Sequence, residues 1–418
     1  MGKRGKGFTG PLVLVAVVVA ICAGGCWDRR EINELSFFSS AAFDLEGQER
    51  VLTVEYIKPS PAGGGGEGGG RETLPQRQAI IVSEKGATFL EAGRQGALGM
   101  PRRAYLAHAA AILIGEEMAR YGIKEVLEHI DRIPEFRRTT LILLTRGPAR
   151  DEVIMAQSGL EKNLGREITG LHKWVQVSGY GFIPNVNDVF YDLSGDAGST
   201  VLPVLELAPQ PYPPLLGRGG TAGGTGGATA PKAETLLTAR LNGAGLFYRD
   251  KLVAWLNAEQ TRGWSWVRNK VKNAVLTLND QNGSWVSLNI TDSRAKTEVE
   301  YRDGLIRGNI KVKVEGNLLE EQGYQDFTKE EAVMKYLEEQ AAARIRAEIT
   351  EALRAAQKAG TDVFGFAGAL HRRYPKVWRQ VENNWRDEFQ RLPVTIEIEA
   401  KLRRTGMTGR PLKPGGGG

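Results

Sequence analysis

The chain has 418 residues, 41% of them hydrophobic and 25% charged, enough to bury ordinary cores in two or three domains. Its formal charge of +6 is too mild, and its basic residues too little interleaved with aromatics, to argue for nucleic acid. With 2 cysteines, Cys22 and Cys26, it has no cysteine-based metal site.

The first 25 residues read as a signal peptide: basic Lys3, Arg4 and Lys6, an apolar run from Leu12 to Ile21, then Ala23-Gly24-Gly25 before Cys26. A span that stays in the bilayer needs about 20 apolar residues, and this run stops at about half that length. Cys22 is no rival site, because bulky Ile21 precedes it. The expectation is a lipoprotein: acylation at Cys26, cleavage before it, and export to a membrane surface. The mature chain then keeps one cysteine, occupied by lipid, so no internal disulfide is possible and the fold rests on packing.

Beyond the anchor, Leu35–Phe43 and Val51–Lys58 read as strands joined at Asp44-Leu45-Glu46-Gly47. The glycine-rich stretch at 62–70 lacks the Lys-Ser/Thr of a phosphate-binding loop and is read as a surface loop. Then strands and helices alternate: strands at Ala79–Ser83, Ala107–Ile114 and Thr139–Thr145, helices at Thr88–Leu98 and Glu116–Ile130, with a break at Gly122. Helices follow at Leu160–Val177 and Pro184–Tyr191, and a strand at Val201–Leu207. His108, His129 and His172 are too far apart for a helical metal motif and are read as packed or surface residues.

Gln210–Pro231 is low-complexity, the centre of a mobile loop expected over 208–233. Strands at Thr238–Tyr248 and Lys251–Leu256 meet at an Arg249-Asp250 turn, and a helix is expected over Ala258–Lys270. Four strands follow, at Ala274–Leu278, Trp285–Asp292, Lys296–Tyr301 and Ile306–Glu315, the last alternating Ile310, Val312 and Val314 with Asn309, Lys311 and Lys313. Thr328–Gly360 is the clearest helix, with Thr328 and Glu331 at capping-box spacing. Val333, Leu337, Ala341, Ile345, Ile349 and Leu353 form its buried stripe, while the Glu331–Lys335 and Arg344–Glu348 pairs mark its outer face. Helices at Asp362–Leu370 and Tyr374–Phe389 and a strand at Val394–Leu402 complete the fold.

The stretch Gly25-Cys26-Trp27-Asp28-Arg29-Arg30-Glu31-Ile32-Asn33-Glu34-Leu35 closely resembles the mature start of the Ger(x)C family of spore germination lipoproteins. Gly245–Leu256 with Glu259 and Thr261-Arg262-Gly263, then Asp362-Val363-Phe364-Gly365-Phe366 and the Trp378…Trp385 segment, resemble its C-terminal half. The two glycine-rich insertions are departures from that pattern. The resemblance implies a non-enzymatic subunit of a nutrient germinant receptor on the spore inner membrane, working with two integral membrane subunits.

The fold class expected is α+β, in three modules of mixed or antiparallel sheets packed with helices: an N-terminal domain at 26–192, a small middle domain at 193–270, and a C-terminal antiparallel sheet with helices at 271–404. The tail 405–418 is expected to be disordered. No metal or cofactor is called for. The alternatives are a lipid-anchored solute-binding protein of a transporter, which should show two similar lobes, and an anchored hydrolase, which lacks a linked nucleophile and base. Six of the eight tryptophans fall between Leu252 and Arg386, and Trp264 and Trp266 are the interface candidates, because residues two apart on a helix point in opposed directions.

Overall fold

The computed structural model describes residues 31–58, 79–156, 161–209, 237–322 and 331–403. Cys26, the glycine-rich stretch at 62–70, the tract Gln210–Pro231, Thr328 and the tail lie outside them.

The first sheet contains β1 (Leu35–Glu46), β2 (Glu49–Ile57), β3 (Ala79–Gly86), β4 (Arg103–Tyr105), β5 (Ala111–Ile114), β6 (Leu141–Leu144), β7 (Ser199–Pro209), β8 (Leu237–Tyr248) and β9 (Lys251–Leu256). Their order is β3-β2-β1-β5-β6-β7-β8-β9, with β4 beside β1. The middle is parallel, β1 to β5 to β6 to β7, and antiparallel hairpins close both sides. Residues 193–270, expected as a unit of their own, thus supply three strands that continue this sheet, meeting β6 through Leu144 and Val204.

Both faces of the sheet are covered, as an all-apolar parallel centre requires. The helices are α1 (Phe89–Leu98), α2 (Glu116–Tyr121), α3 (Lys124–Arg132), α4 (Ala149–Met155), α5 (Leu164–Ser178) and α6 (Val186–Ser194). Alternate residues of β5 and β6 enter separate cores: Ile112, Ile114, Ile142 and Leu144 pack with Met118 and Val126, while Leu113, Leu141 and Leu143 pack with Val153 and Ile168. Gly122, at φ 143°, separates α2 from α3 at the expected break.

Two buried carboxylates of the first hairpin receive helix N-termini. Asp44 accepts the amides of Ala149 and Arg150 at 2.7 and 2.9 Å, and Glu55 accepts the Leu164 amide at 3.1 Å and the Ser40 hydroxyl at 2.8 Å. A helix start presents unpaired N–H groups and a positive dipole end, so an acidic strand residue can hold the helix to the sheet.

The second sheet is built from β10 (Ala274–Asn279), β11 (Trp285–Arg302), β12 (Leu305–Glu321) and β13 (Val394–Arg403). The two strands expected within 285–301 are one, kinked where its register shifts between Ile290 and Asp292. The sheet is not purely antiparallel: β13 lies parallel to β12. The chain between them crosses over through helices, which returns it to the same end of the sheet.

Those helices are α8 (Glu331–Ala359), α9 (Phe366–Arg373), α10 (Pro375–Val381) and α11 (Trp385–Arg391), while α7 (Ala258–Val267) follows β9. All six residues of the expected stripe on α8 are buried. They join one core with Leu276, Ile290 and Ile310 of the second sheet and with Val201, Leu246 and Leu256 of the first. The C-terminal core therefore extends onto the end of the N-terminal sheet.

Candidate functional site

Cys26 lies outside the described residues, so the geometry speaks to the other sequence candidates, Trp264 and Trp266. Both sit on α7, capped by Asn257 and Gln260, which exchange bonds to each other's amides at 2.8 and 3.0 Å. Neither ring is available to a partner: Trp264 is 3% exposed and Trp266 0%. The expectation that one would be exposed or meet another surface is corrected in its first part. It assumed a helix with one wet side, but every residue from Thr261 to Val267 is buried, because α7 is enclosed between the first sheet and α8. Trp264 packs on Phe182 at 4.5 Å between ring centroids and donates its indole N–H to the Val363 carbonyl at 3.0 Å; Trp266 donates to Glu348 Oε2 at 3.0 Å.

Glu348 is the second correction. Its i, i+4 spacing from Arg344 suggested a solvated pair, and Arg344 Nε does donate to Glu348 Oε1 at 2.9 Å, yet the carboxylate is buried. Arg262 of α7 grips it with two donors, Nε to Oε2 at 2.8 Å and Nη2 to Oε1. The other side of the Arg262 guanidinium stacks on Tyr180, 4.0 Å from the ring centroid. Gly263 permits the close crossing of the helices: a Cβ there would stand 2.1 Å from the Glu348 carbonyl oxygen.

The Asp362-Val363-Phe364-Gly365-Phe366 segment forms the second polar node at this junction. The Asp362 carboxylate accepts the amides of Phe364, Gly365, Phe366 and Ala367 at 2.6–3.2 Å and the Trp385 indole N–H at 3.2 Å. Burial raises its pKa, against the pull of the Ala367, Phe366 and Gly365 amides and the Trp385 indole. Trp385 meets Trp378 edge-on at 5.5 Å. Thr361 donates to the Phe247 carbonyl of β8 at 2.7 Å, so this loop too is tied to the first sheet.

Chemically, these nodes hold elements together. Their carboxylates are saturated by donors from the fold and have no free lone pair directed at a cleft. Among the described residues no group of three or more His, Cys, Asp or Glu is placed to hold a metal ion. The exposed tryptophans among the described residues are Trp174 on α5, 64% exposed, and Trp285 at the start of β11, 52% exposed. Trp174 was not among the sequence candidates, and its helical periodicity gives no sign of its exposure.

The sequence matches two family models in order. The one described as Spore germination protein N-terminal domain covers residues 28–207, and the one described as Spore germination B3/GerAC like, C-terminal, covers 242–406. The chain belongs to the Ger(x)C family of spore germination proteins. Relatives in this family include Spore germination protein KC of Bacillus subtilis (strain 168), 27% identical over 416 residues, covering 96% of both chains. Spore germination protein B3 of the same organism is 23% identical over 404 residues, covering 95% of this chain and 98% of the relative. The crystal structure of the GerBC protein is 19% identical, covers 87% of this chain and 96% of that one, and superposes with a TM-score of 0.48. In this Ger(x)C chain both polar nodes at the sheet junction are built from motifs that carry the family resemblance: Thr261-Arg262-Gly263 and the segment that begins at Asp362.

Proposed function

We propose that this chain is a lipid-anchored, non-enzymatic subunit of a spore nutrient germinant receptor, held at the outer face of the spore inner membrane and acting through contacts with integral membrane subunits. The observation that carries the reading is one of placement. A lipoprotein-type cysteine, Cys26, stands immediately ahead of a chain matched to spore germination families over residues 28–207 and 242–406. Among the described residues no helix is long and apolar enough to cross a membrane, and the reading puts attachment at Cys26. Stable anchoring takes more than one acyl chain, which a diacylated N-terminal cysteine provides. The nine residue steps from Cys26 to Leu35 span at most about 32 Å, so β1 begins within reach of the headgroups and of neighbouring membrane subunits. The saturation of Glu348 and Asp362 by donors of the fold supports a role in contact over one in chemistry.

Replacing Cys26 by Ala tests the anchor. The precursor should stay uncut, the protein should move to the aqueous phase on detergent partitioning, and spores should lose their nutrient response. A Cys26→Ala chain still processed and membrane-bound would sink the anchor. Purification of the tagged wild-type chain from spore membranes tests the partners, and recovery without any integral membrane protein would sink that part.

A further inference from the structure

A cavity of about 560 Å³ opens on the face of the first sheet covered by α1 and α3. That volume lies inside the range of roughly 300–1,000 Å³ typical of small-molecule sites. Its floor lies over a closed aromatic cluster, Phe38 and Phe43 from β1, Tyr56 from β2 and Phe89 from α1, all buried, and its accessible walls include Leu90 and Ala97 of α1 with Met100 and Phe136. The rings hold one another edge-on, Phe43 to Phe89 at 4.9 Å, Phe38 to Phe136 at 5.6 Å and Phe38 to Tyr56 at 6.1 Å. His129 completes the wall, its ring 5.9 Å from Phe43 and 6.0 Å from Phe89. Burial lowers its pKa to about 4, so it is neutral at ordinary pH.

The rim has a different character. Arg94, Arg102 and Arg103 are exposed at the opening. Arg103 pairs with Glu135 at 3.3 Å, while Arg94 and Arg102 form no ion pair among the described residues. A rim where Arg94 and Arg102 meet no described carboxylate disfavours cations.

We propose that this cavity binds a small organic acid whose apolar body lies against Leu90, Met100 and Phe136 while its carboxylate stays at the rim beside Arg94 and Arg102. Held there, the carboxylate keeps part of its hydration and gains charge-assisted hydrogen bonds. Two sources supply this chemistry: a free aromatic acid, or a medium-chain fatty acid from the membrane. The site goes beyond the receptor-subunit reading and does not depend on it.

The full chain in lipid nanodiscs, titrated calorimetrically with 3-phenylpropionate and with decanoate, tests the proposal, with the corresponding alcohols as uncharged probes and empty nanodiscs as blank. One acid should bind saturably, at least roughly fivefold tighter than its alcohol, about 1 kcal/mol. The preferred acid identifies the source. Arg94→Gln with Arg102→Gln should reduce the acid to its alcohol's affinity. Gly93→Leu should weaken acid and alcohol alike by roughly tenfold, because Gly93 lines the cavity from α1 and a Cβ there meets only Leu52 Cδ2, at an ordinary 3.5 Å. Failure of both acids to bind saturably overturns the proposal, as does binding unchanged by Gly93→Leu in a chain of unchanged melting temperature. Should Gly93→Leu lower the melting temperature, the exposed arginine pair decides alone, and undiminished acid binding overturns the site.

Discussion

Arg262 and Glu348 stand 86 residues apart in the chain and meet as an ion pair with only 2% and 3% of their side chains exposed. Arg262 lies on the helix that leaves the first sheet, and Glu348 lies at the middle of the long helix that covers the second. The pair therefore fastens the two sheets across their shared core. Buried charges of this kind add little net stability over apolar residues of the same volume, but removing one partner strands the other.

Glu348→Ala should accordingly cost about 3–5 kcal/mol in urea denaturation, since it leaves the Arg262 guanidinium and the Trp266 indole N–H without their acceptor. The double replacement Arg262→Met with Glu348→Leu should cost much less than the sum of the single changes. Additive losses would show that the two residues do not act as a pair.

At Gly263 the usual rule for helices should reverse. Glycine to alanine within a helix ordinarily gains about 1 kcal/mol. Here the added methyl would lie 2.1 Å from the Glu348 carbonyl oxygen and force α7 away from α8. Gly263→Ala should therefore destabilise the chain by about 1–3 kcal/mol. An unchanged or raised urea midpoint would mean that the helices have room to separate.

Local patterns in the sequence carried much of this fold. The stripe from Val333 to Leu353 marks the buried face of α8, and the alternation around Ile310, Val312 and Val314 marks the buried face of β12. Both depend on residues close in the chain, where period alone decides the facing side. Glu348 was misread because its only local partner is Arg344; the Arg262 that buries it arrives from another element. Trp264 and Trp266 were misread for a related reason, since opposed directions on a helix imply an exposed side only when one side is left uncovered. The cavity has no local signature, because Leu90, Met100, Arg102 and Phe136 are assembled over β1 and β2 by strand order and helix placement. The parallel pairing of β13 depends likewise on where a long crossover returns.

Stability should depend on pH through two groups with opposite signs. Burial lowers the pKa of His129 from 6.5 to about 4, so between these values the unfolded chain binds more protons. This contribution rises with pH across the window and is complete above about 6.5. Asp44 is raised from 3.8 to about 6 by burial, which outweighs the Ala149 and Arg150 amides. There the folded chain holds the extra proton, and stability falls as pH rises from about 4 to 6. His129→Gln should flatten or invert the acid side of the urea-midpoint profile, by about 1–2 kcal/mol between pH 5 and 7, and Asp44→Asn should steepen it. A His129→Gln profile parallel to the parent's would show that the imidazole titrates normally.

The tryptophans should divide by burial, and the division bears on where partners bind. Trp264→Ala and Trp266→Ala each remove a large ring from the shared core together with an indole donor, the one to Val363 O in one case and one of the four to Glu348 in the other. Each should cost about 3–5 kcal/mol, and any loss of germination in such spores should accompany loss of the folded protein. Trp174 and Trp285, at 64% and 52% exposure, should change stability by less than about 0.5 kcal/mol when replaced by Ala. An exposed indole is the residue type that dominates interface energetics once covered, because it removes much apolar area from water and still offers an N–H. If receptor contact uses either face, spores carrying Trp174→Ala or Trp285→Ala should germinate slowly while the chain keeps its parent urea midpoint and recovers less membrane partner on co-purification. Normal germination and full partner recovery in both variants would remove these two rings from the interface and leave contact to other surfaces of the chain.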